Sequence, residues 1–276
     1  MRPKHWIKNL LVFAPIFFAN QFSAVSLLQV TKVFLIFCLA SSGSYLLNDV
    51  LDRKKDLFHP FKKDRPVASQ ELSIPAAITF SIIFQLSSFF LSFFILPKLA
   101  LAVLSYLLVQ VLYSTLLKKF PLIDVLWISS GYILRALAGA ISAGVVLSSW
   151  LTLSVGILAV YLGFVRRRLE LTGSYTLSYG TRETISHYSL DFLTLVERTC
   201  LACVLVIYVI WSVLGTDSDW MILTIPFVFF GIFRHQALTL QDNLTGESPD
   251  FVWAKDPAIV ATIILWLISS FVALQF

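Results

Sequence analysis

Nine apolar stretches, at 10–26, 32–50, 75–96, 99–117, 122–141, 148–165, 199–215, 220–233 and 258–275, follow one another along the chain. Each is near the length of helix needed to cross about 30 Å of hydrocarbon. Inside a bilayer every backbone N–H and C=O has to be satisfied within the protein, so single apolar segments of this length cross as α-helices. The predicted fold class is all-α and integral to the membrane, with nine transmembrane helices and the lipid bilayer as the first partner. Only 13% of residues are charged, against about 25% in soluble proteins, and no nucleic-acid partner is implied. Pro75, Pro121 and Pro257 fall where helices would begin, Asp256 is placed to cap the last, and Pro97 separates two spans. Pro15 and Pro226 lie inside spans and predict kinks.

With nine spans and the N-terminus inside, every Lys and Arg except Lys32, Lys98 and Arg135 falls on the cytoplasmic side, and so does every acid except Asp217 and Asp219. The bias in basic residues is the ordinary signal of orientation. Acids play little part in that signal, so their concentration on the same side places the chemistry at the cytoplasmic face of a multi-pass protein of the inner (plasma) membrane. The C-terminus is then outside. The opening Arg2-Pro3-Lys4-His5-Trp6-Ile7-Lys8-Asn9 and its apolar sequel have the outline of a secretory signal, but eight further spans follow and no convincing small-x-small cleavage site precedes the next one. Cys38, Cys200 and Cys203 fall within or beside spans and read as small packing residues, with no disulfide implied.

A single domain over 1–276 is expected, with long cytoplasmic loops at 51–74, 166–198 and 234–257, where sites are commonly built on a rigid scaffold. The second and sixth spans each end in a charged cluster that opens into such a loop, as in an internally duplicated bundle. The fifth span carries Ser129, Ser130, Gly131, Ala136, Gly139, Ala140, Ala143 and Gly144. Small residues of this kind let helices approach closely, within one chain or between copies in a homo-oligomer, or make room for a chain-like ligand.

The second span ends in Asn48-Asp49-Val50-Leu51-Asp52-Arg53-Lys54-Lys55-Asp56. If the helix runs on through this segment, Asn48, Asp49, Asp52 and Asp56 share one face at spacings of three and four. Carboxylates cluster in this way when a counter-charge offsets their repulsion, and a hard divalent cation such as Mg²⁺, with positions left open for phosphate oxygens, provides one. The bland alternative is a solvated helix end neutralised by Arg53, Lys54 and Lys55. Next come Lys62-Lys63-Asp64-Arg65-Pro66 and, after the fourth span, Tyr113, Lys118, Lys119 and Asp124. Lys118 and Tyr113 lie at the cytoplasmic mouth, able to meet a phosphate or simply to snorkel. Arg135 lies about 16 Å further along a helix than Asp124. A buried charge there needs a partner, which is either a bound phosphate or an internal carboxylate.

Asn-Asp-x-x-Asp-x-x-x-Asp with a basic Arg-Pro segment, then Tyr-x-x-x-Leu-Lys and a later Asp, resembles the UbiA superfamily of intramembrane prenyltransferases. The resemblance covers essentially the whole chain and implies helices ringed around a central cavity open to the cytoplasm and the bilayer. Isoprenyl-transferring members carry a second Asp-rich motif where the sixth span ends. This chain reads Phe164-Val165-Arg166-Arg167-Arg168-Leu169-Glu170-Leu171 there. Three guanidinium groups suit an additional anion, although a basic helix end is also what orientation alone would give. Together with the octet 2–9, the segment Ser129–Gly139 and the stretch from Arg234 through Asp242, Gly246, Glu247, Pro249, Asp250 and Asp256, this run is similar to the decaprenyl-phosphate phosphoribosyltransferase branch.

That branch implies transfer of 5-phosphoribosyl from phosphoribosyl diphosphate to a polyprenyl (decaprenyl-type) phosphate, with Mg²⁺ as cofactor and release of diphosphate. The implied metal ligands are Asn48, Asp49, Asp52 and Asp56. The implied catalytic residues are Asp49, Asp52, Asp56, Lys118 and Arg135, and Lys4, Lys8, Lys62, Arg65, Tyr113, Lys118, Asp124, Arg135, Arg166, Arg167 and Arg168 bind substrate. An acceptor that is already an anionic oxygen needs no strong base. That agrees with a chain whose four histidines, His5, His59, His187 and His235, show no evident carboxylate partner in sequence. Two rival readings are an isoprenyl diphosphate-dependent prenyltransferase with an aromatic acceptor, and a lipid-phosphate carrier without catalysis.

Overall fold

The computed structural model describes residues 2–58, 62–172, 183–240 and 252–276. All regular structure among them is helical. The chain forms two compact units, Met1–Leu147 with Ser174–His187, and Ser148–Gly173 with Tyr188–Phe276.

The first unit opens with a 3-10 helix, Pro3–Phe13, that passes into the short α1 (Ala14–Phe18). Four long helices follow: α2 (Ala24–Asp56), α3 (Ile74–Ile95), α4 (Pro97–Thr115) and α5 (Ile123–Ala143). Ser23 and Ser73 cap α2 and α3 by accepting from the backbone N–H groups of Ser26 and Ala76, which satisfies donors a helix start leaves unpaired. Pro75 occupies a first-turn position, as expected, and Pro97, which separates α3 from α4, is the first residue of α4, whereas Pro121 lies before the start of α5 at Ile123. The acidic motif continues α2 as helix to Asp56. Where α2 meets α3, Ser81 Oγ donates to the Gly43 carbonyl at 2.7 Å, and a Cβ on Gly43 would lie 2.9 Å from the Ser81 carbonyl oxygen. The core of the unit gathers Val12, Ile16, Val33, Phe37, Val103 and Tyr106.

The second unit contains α6 (Ser149–Thr172), α7 (Leu190–Leu214), a 3-10 turn Asp219–Thr224, α8 (Ile225–Leu240), the short α9 (Val252–Lys255) and α10 (Pro257–Ala273). Asp256 caps α10, accepting from Ile259 N–H at 2.9 Å, as its position before Pro257 predicts. Trp266 Nε1 donates to the Tyr208 hydroxyl at 2.7 Å, and that hydroxyl lies 2.6 Å from Thr224 Oγ1. This polar chain ties α10 to α7 and to the turn before α8.

Seven of these segments are long and apolar enough to cross a membrane, and α10 is a shorter apolar helix. The chain is a multi-span membrane protein. The expected span at 10–26 is not a continuous helix: it comprises the end of the 3-10 helix, α1, and a break before α2. Pro15 explains the junction. It cannot donate back along the chain and crowds the carbonyl four residues earlier, so the α-helix starts beside it and the preceding turns are the tighter 3-10 form. Pro226 acts in the same way, with 3-10 geometry before it and α8 from Ile225 on. The seventh span begins at Leu190 rather than near 199: Ser189 caps α7 by accepting from Phe192 N–H, and the helix includes Asp191 and Glu197, acids that an apolar span read by itself leaves out.

Candidate functional site

The last two turns of α2 carry three carboxylates, each met by a basic side chain from elsewhere in the first unit. Asp49 and Asp56 are nearly buried, at 5% and 4% exposure. One nitrogen of Arg65, Nη1, donates to Asp56 Oδ2 at 2.6 Å and to Asp49 Oδ1 at 3.2 Å. Arg65 is held in position by its own turn, where its N–H donates to the Lys62 carbonyl and its carbonyl accepts from Ser69 N–H. Arg2 donates a second hydrogen bond to Asp49 Oδ1 and sits 5.4 Å from the centroid of the Tyr45 ring. Asp52 belongs to another pair, accepting from Lys118 Nζ at 2.5 Å. Lys118 lies on the 3-10 turn Leu117–Lys119, which follows α4. Pairing is what permits carboxylates in so little water, since an unpartnered buried charge is strongly disfavoured. Burial lowers the Arg2 pKa from its usual value, while the Asp49 charge acts the other way; the guanidinium remains protonated.

The spacing on α2 predicts one four-ligand face, and the geometry divides it. Asp49 and Asp56 converge on a common cationic atom, Asp52 lies apart on Lys118, and Asn48 is half-buried on the same helix. Among the described residues no three His, Cys, Asp or Glu side chains form a cage that could hold a metal. Two converging carboxylates still fit Mg²⁺, which is commonly held by one or two carboxylates together with substrate phosphates and water.

Other expected residues lie elsewhere in the first unit. Lys62 and Tyr113 are half-buried, Lys4 is exposed and Asp124 is buried at the start of α5. The Lys8 ammonium lies 5.9 Å from the Tyr132 ring centroid. Arg135, 3% exposed, has an acceptor at each guanidinium nitrogen: Asn9 Oδ1 at 2.8 Å, the Gly131 carbonyl at 2.9 Å and the Tyr106 hydroxyl at 2.9 Å. All three of these bonds go to neutral groups of the protein.

The arginine run belongs to the second unit. Arg167 pairs with Glu170 at 2.9 Å, and Arg168 Nε contacts both oxygens of Glu197 at 2.9 and 3.0 Å while its Nη2 donates to the Thr239 carbonyl. Arg166 is half-buried. Nearby, Tyr161 donates to Gln236 Oε1 at 2.7 Å and lies 3.0 Å from His235 Nδ1. His59, Asp242, Gly246, Glu247, Pro249 and Asp250 lie outside the described residues.

Sequence reasoning missed Arg2, Asn9 and Glu197. Arg2 and Asn9 end the octet that drew attention through its lysines. Glu197 had no visible partner at a distance of 29 residues from Arg168.

The sequence model of the UbiA prenyltransferase family matches residues 9–254. The chain belongs to the UbiA prenyltransferase family. This UbiA family enzyme is 30% identical to a decaprenyl-phosphate phosphoribosyltransferase of Corynebacterium glutamicum, over 97% of this chain and 83% of that protein. It is 28% identical to a decaprenyl-phosphate phosphoribosyltransferase of Mycolicibacterium smegmatis, over 97% of this chain and 88% of that one. Its fold is that of a UbiA homolog from Archaeoglobus fulgidus bound to DMAPP and Mg²⁺. The TM-score is 0.77 at 18% identity, covering 99% of this chain and 97% of the other.

Proposed function

We propose that this UbiA family member transfers 5-phosphoribosyl from phosphoribosyl diphosphate to a polyprenyl phosphate of the decaprenyl type, releasing diphosphate at the cytoplasmic face of the plasma membrane. The observation that carries the reading is the α2 cluster, in which three carboxylates face Arg2, Arg65 and Lys118. Near-full-length similarity to proteins named for that transfer supports it.

The bond from the ribose anomeric carbon to the diphosphate oxygen breaks, and a bond from that carbon to a lipid phosphate oxygen forms. The acceptor is already an anion, so no side chain has to remove a proton. Asp49 and Asp56, with Asp52 and Asn48 alongside, would hold Mg²⁺, which offsets charge on the leaving diphosphate when bound. Arg65 and Lys118 supply fixed positive charge where negative charge grows. Lys4, Lys8, Lys62 and Tyr113 are proposed contacts to phosphate oxygens, with Asp124 completing the polar lining. In the second unit Arg166, Arg167 and Arg168 are proposed as anion-binding residues at the end of α6. One UbiA-type domain over 1–276 goes with this reading.

A prenyl transfer to an aromatic acceptor is the second reading, because the solved relatives of this fold include one bound to GPP and Mg²⁺. The arginine run where a second acidic motif would stand argues against it. Purified protein incubated with Mg²⁺ and either labelled phosphoribosyl diphosphate plus decaprenyl phosphate, or labelled geranyl diphosphate plus an aromatic acceptor, tests the choice. Label reaching lipid only in the first mixture is expected. Transfer only in the second would replace the proposal.

A further inference from the structure

The 3-10 helix Pro3–Phe13 is fastened at successive points. Trp6 Nε1 donates to Ser42 Oγ at 3.2 Å, Asn9 Nδ2 donates to Ser41 Oγ at 3.3 Å, and Asn9 Oδ1 accepts from Arg135 Nε at 2.8 Å. Asn9 is fully buried, so one amide joins this strap to α2 and to α5. Further along, the strap crosses α5 so closely that a Cβ on Gly139 would overlap the Val12 carbonyl, with its carbon only 2.8 Å away. The end fixed by these contacts carries Arg2, which reaches Asp49 and lines a cavity of about 60 Å³ with Ser42, Tyr45 and Val67.

We infer that the strap is a working part of the phosphate site: Arg2 is a donor-binding residue, and Asn9 and Arg135 are positioning residues that act through it. The long side chain of Arg2 would lose much rotamer freedom on binding an anion. The buried clasp fixes it beforehand, which lowers that cost. A guanidinium has five N–H donors, and the bond to Asp49 engages a single nitrogen. A diphosphate entering beside Asp49 meets a charged fork suited to phosphate oxygens. The inference rests on the proposed function for the identity of the donor.

Equilibrium binding to the purified full chain with Mg²⁺, using phosphoribosyl diphosphate and inorganic diphosphate as separate probes, tests it. Arg2→Gln is expected to weaken binding roughly ten- to a hundredfold, and Arg2→Lys to restore part of the loss. Asn9→Leu is expected to weaken binding similarly in an otherwise unchanged protein, yet by less than about twofold when added to Arg2→Gln, because coupled residues are not additive. Asn9→Asp keeps the acceptor for Arg135 and retains binding. Should Asn9→Leu fail to fold, Asn9→Leu with Arg135→Met removes both halves of the clasp without leaving either unpaired. Unchanged affinity in Arg2→Gln, or losses that multiply in the combined variant, would overturn the strap's role. Weakened binding of inorganic diphosphate in Arg2→Gln, with no wild-type binding of phosphoribosyl diphosphate, would overturn the proposed donor and leave the strap's role standing.

Discussion

Lys118 Nζ lies 2.5 Å from Asp52 Oδ1 across 66 residues of sequence, joining the turn after α4 to the acidic end of α2. Neutralising either partner removes a charge from the site and leaves the other without its counter-charge in a half-buried position. Lys118→Met and Asp52→Asn are each expected to lower turnover by at least about tenfold while the protein still inserts and folds. Steady-state kinetics beside a thermal melt checks this. Wild-type turnover in either variant would remove the pair from the site.

Asp49 differs from Asp52 in sharing Arg65 with Asp56. Asp49→Asn is expected to raise the Mg²⁺ concentration needed for half-maximal rate, since a neutral amide is a poorer ligand for a hard dication. Chelation should abolish turnover in the wild type and Mg²⁺ should restore it. A Mg²⁺ titration that superimposes on the wild type would count against a metal role for Asp49.

The arginine run should separate into two behaviours. Glu197 is fully buried against Arg168, so Arg168→Met leaves an uncompensated charge and is expected to cost about 3–5 kcal/mol of stability. Arg166→Gln should leave the melting temperature near wild type and weaken binding of one phosphorylated substrate. Equal melting temperatures for the two variants would contradict this division.

These residues mark how far the sequence could be read. Helix through the motif to Asp56 was the condition of the shared-face reading, which the structure meets, and the cap at Asp256 and the helix starts at Pro75 and Pro257 followed from local chemistry that needs no tertiary partner. The early start of α7 did not, because Asp191 and Glu197 look unfavourable in a span until Arg168 is known to face Glu197. The first apolar stretch was legible in part: Pro15 marked a kink, whereas the close crossing of Val12 over Gly139 is a contact distant in sequence that hydropathy does not register. In the acidic motif the residue types were legible, while their division between Arg65 and Lys118 depended on contacts distant in sequence.

The acceptor offers a direct chemical check. A polyprenyl alcohol of the same length should bind through its tail yet fail as acceptor, since its hydroxyl carries a proton and no base is assigned to remove it. Product analysis after incubation with labelled donor tests this. Efficient transfer to the alcohol would contradict the anionic nucleophile.

Central to the account is the bond that breaks in phosphoribosyl diphosphate. The measurement uses donor labelled separately in the ribose carbons and in the β-phosphorus, incubated with decaprenyl phosphate, Mg²⁺ and the full chain in lipid vesicles. Carbon label recovered in the lipid phase with the 5-phosphate still attached, and an equal amount of phosphorus label released to water as diphosphate, is the predicted result. Phosphorus label entering the lipid, or no carbon label there under conditions in which the protein transfers an isoprenyl group, would contradict it.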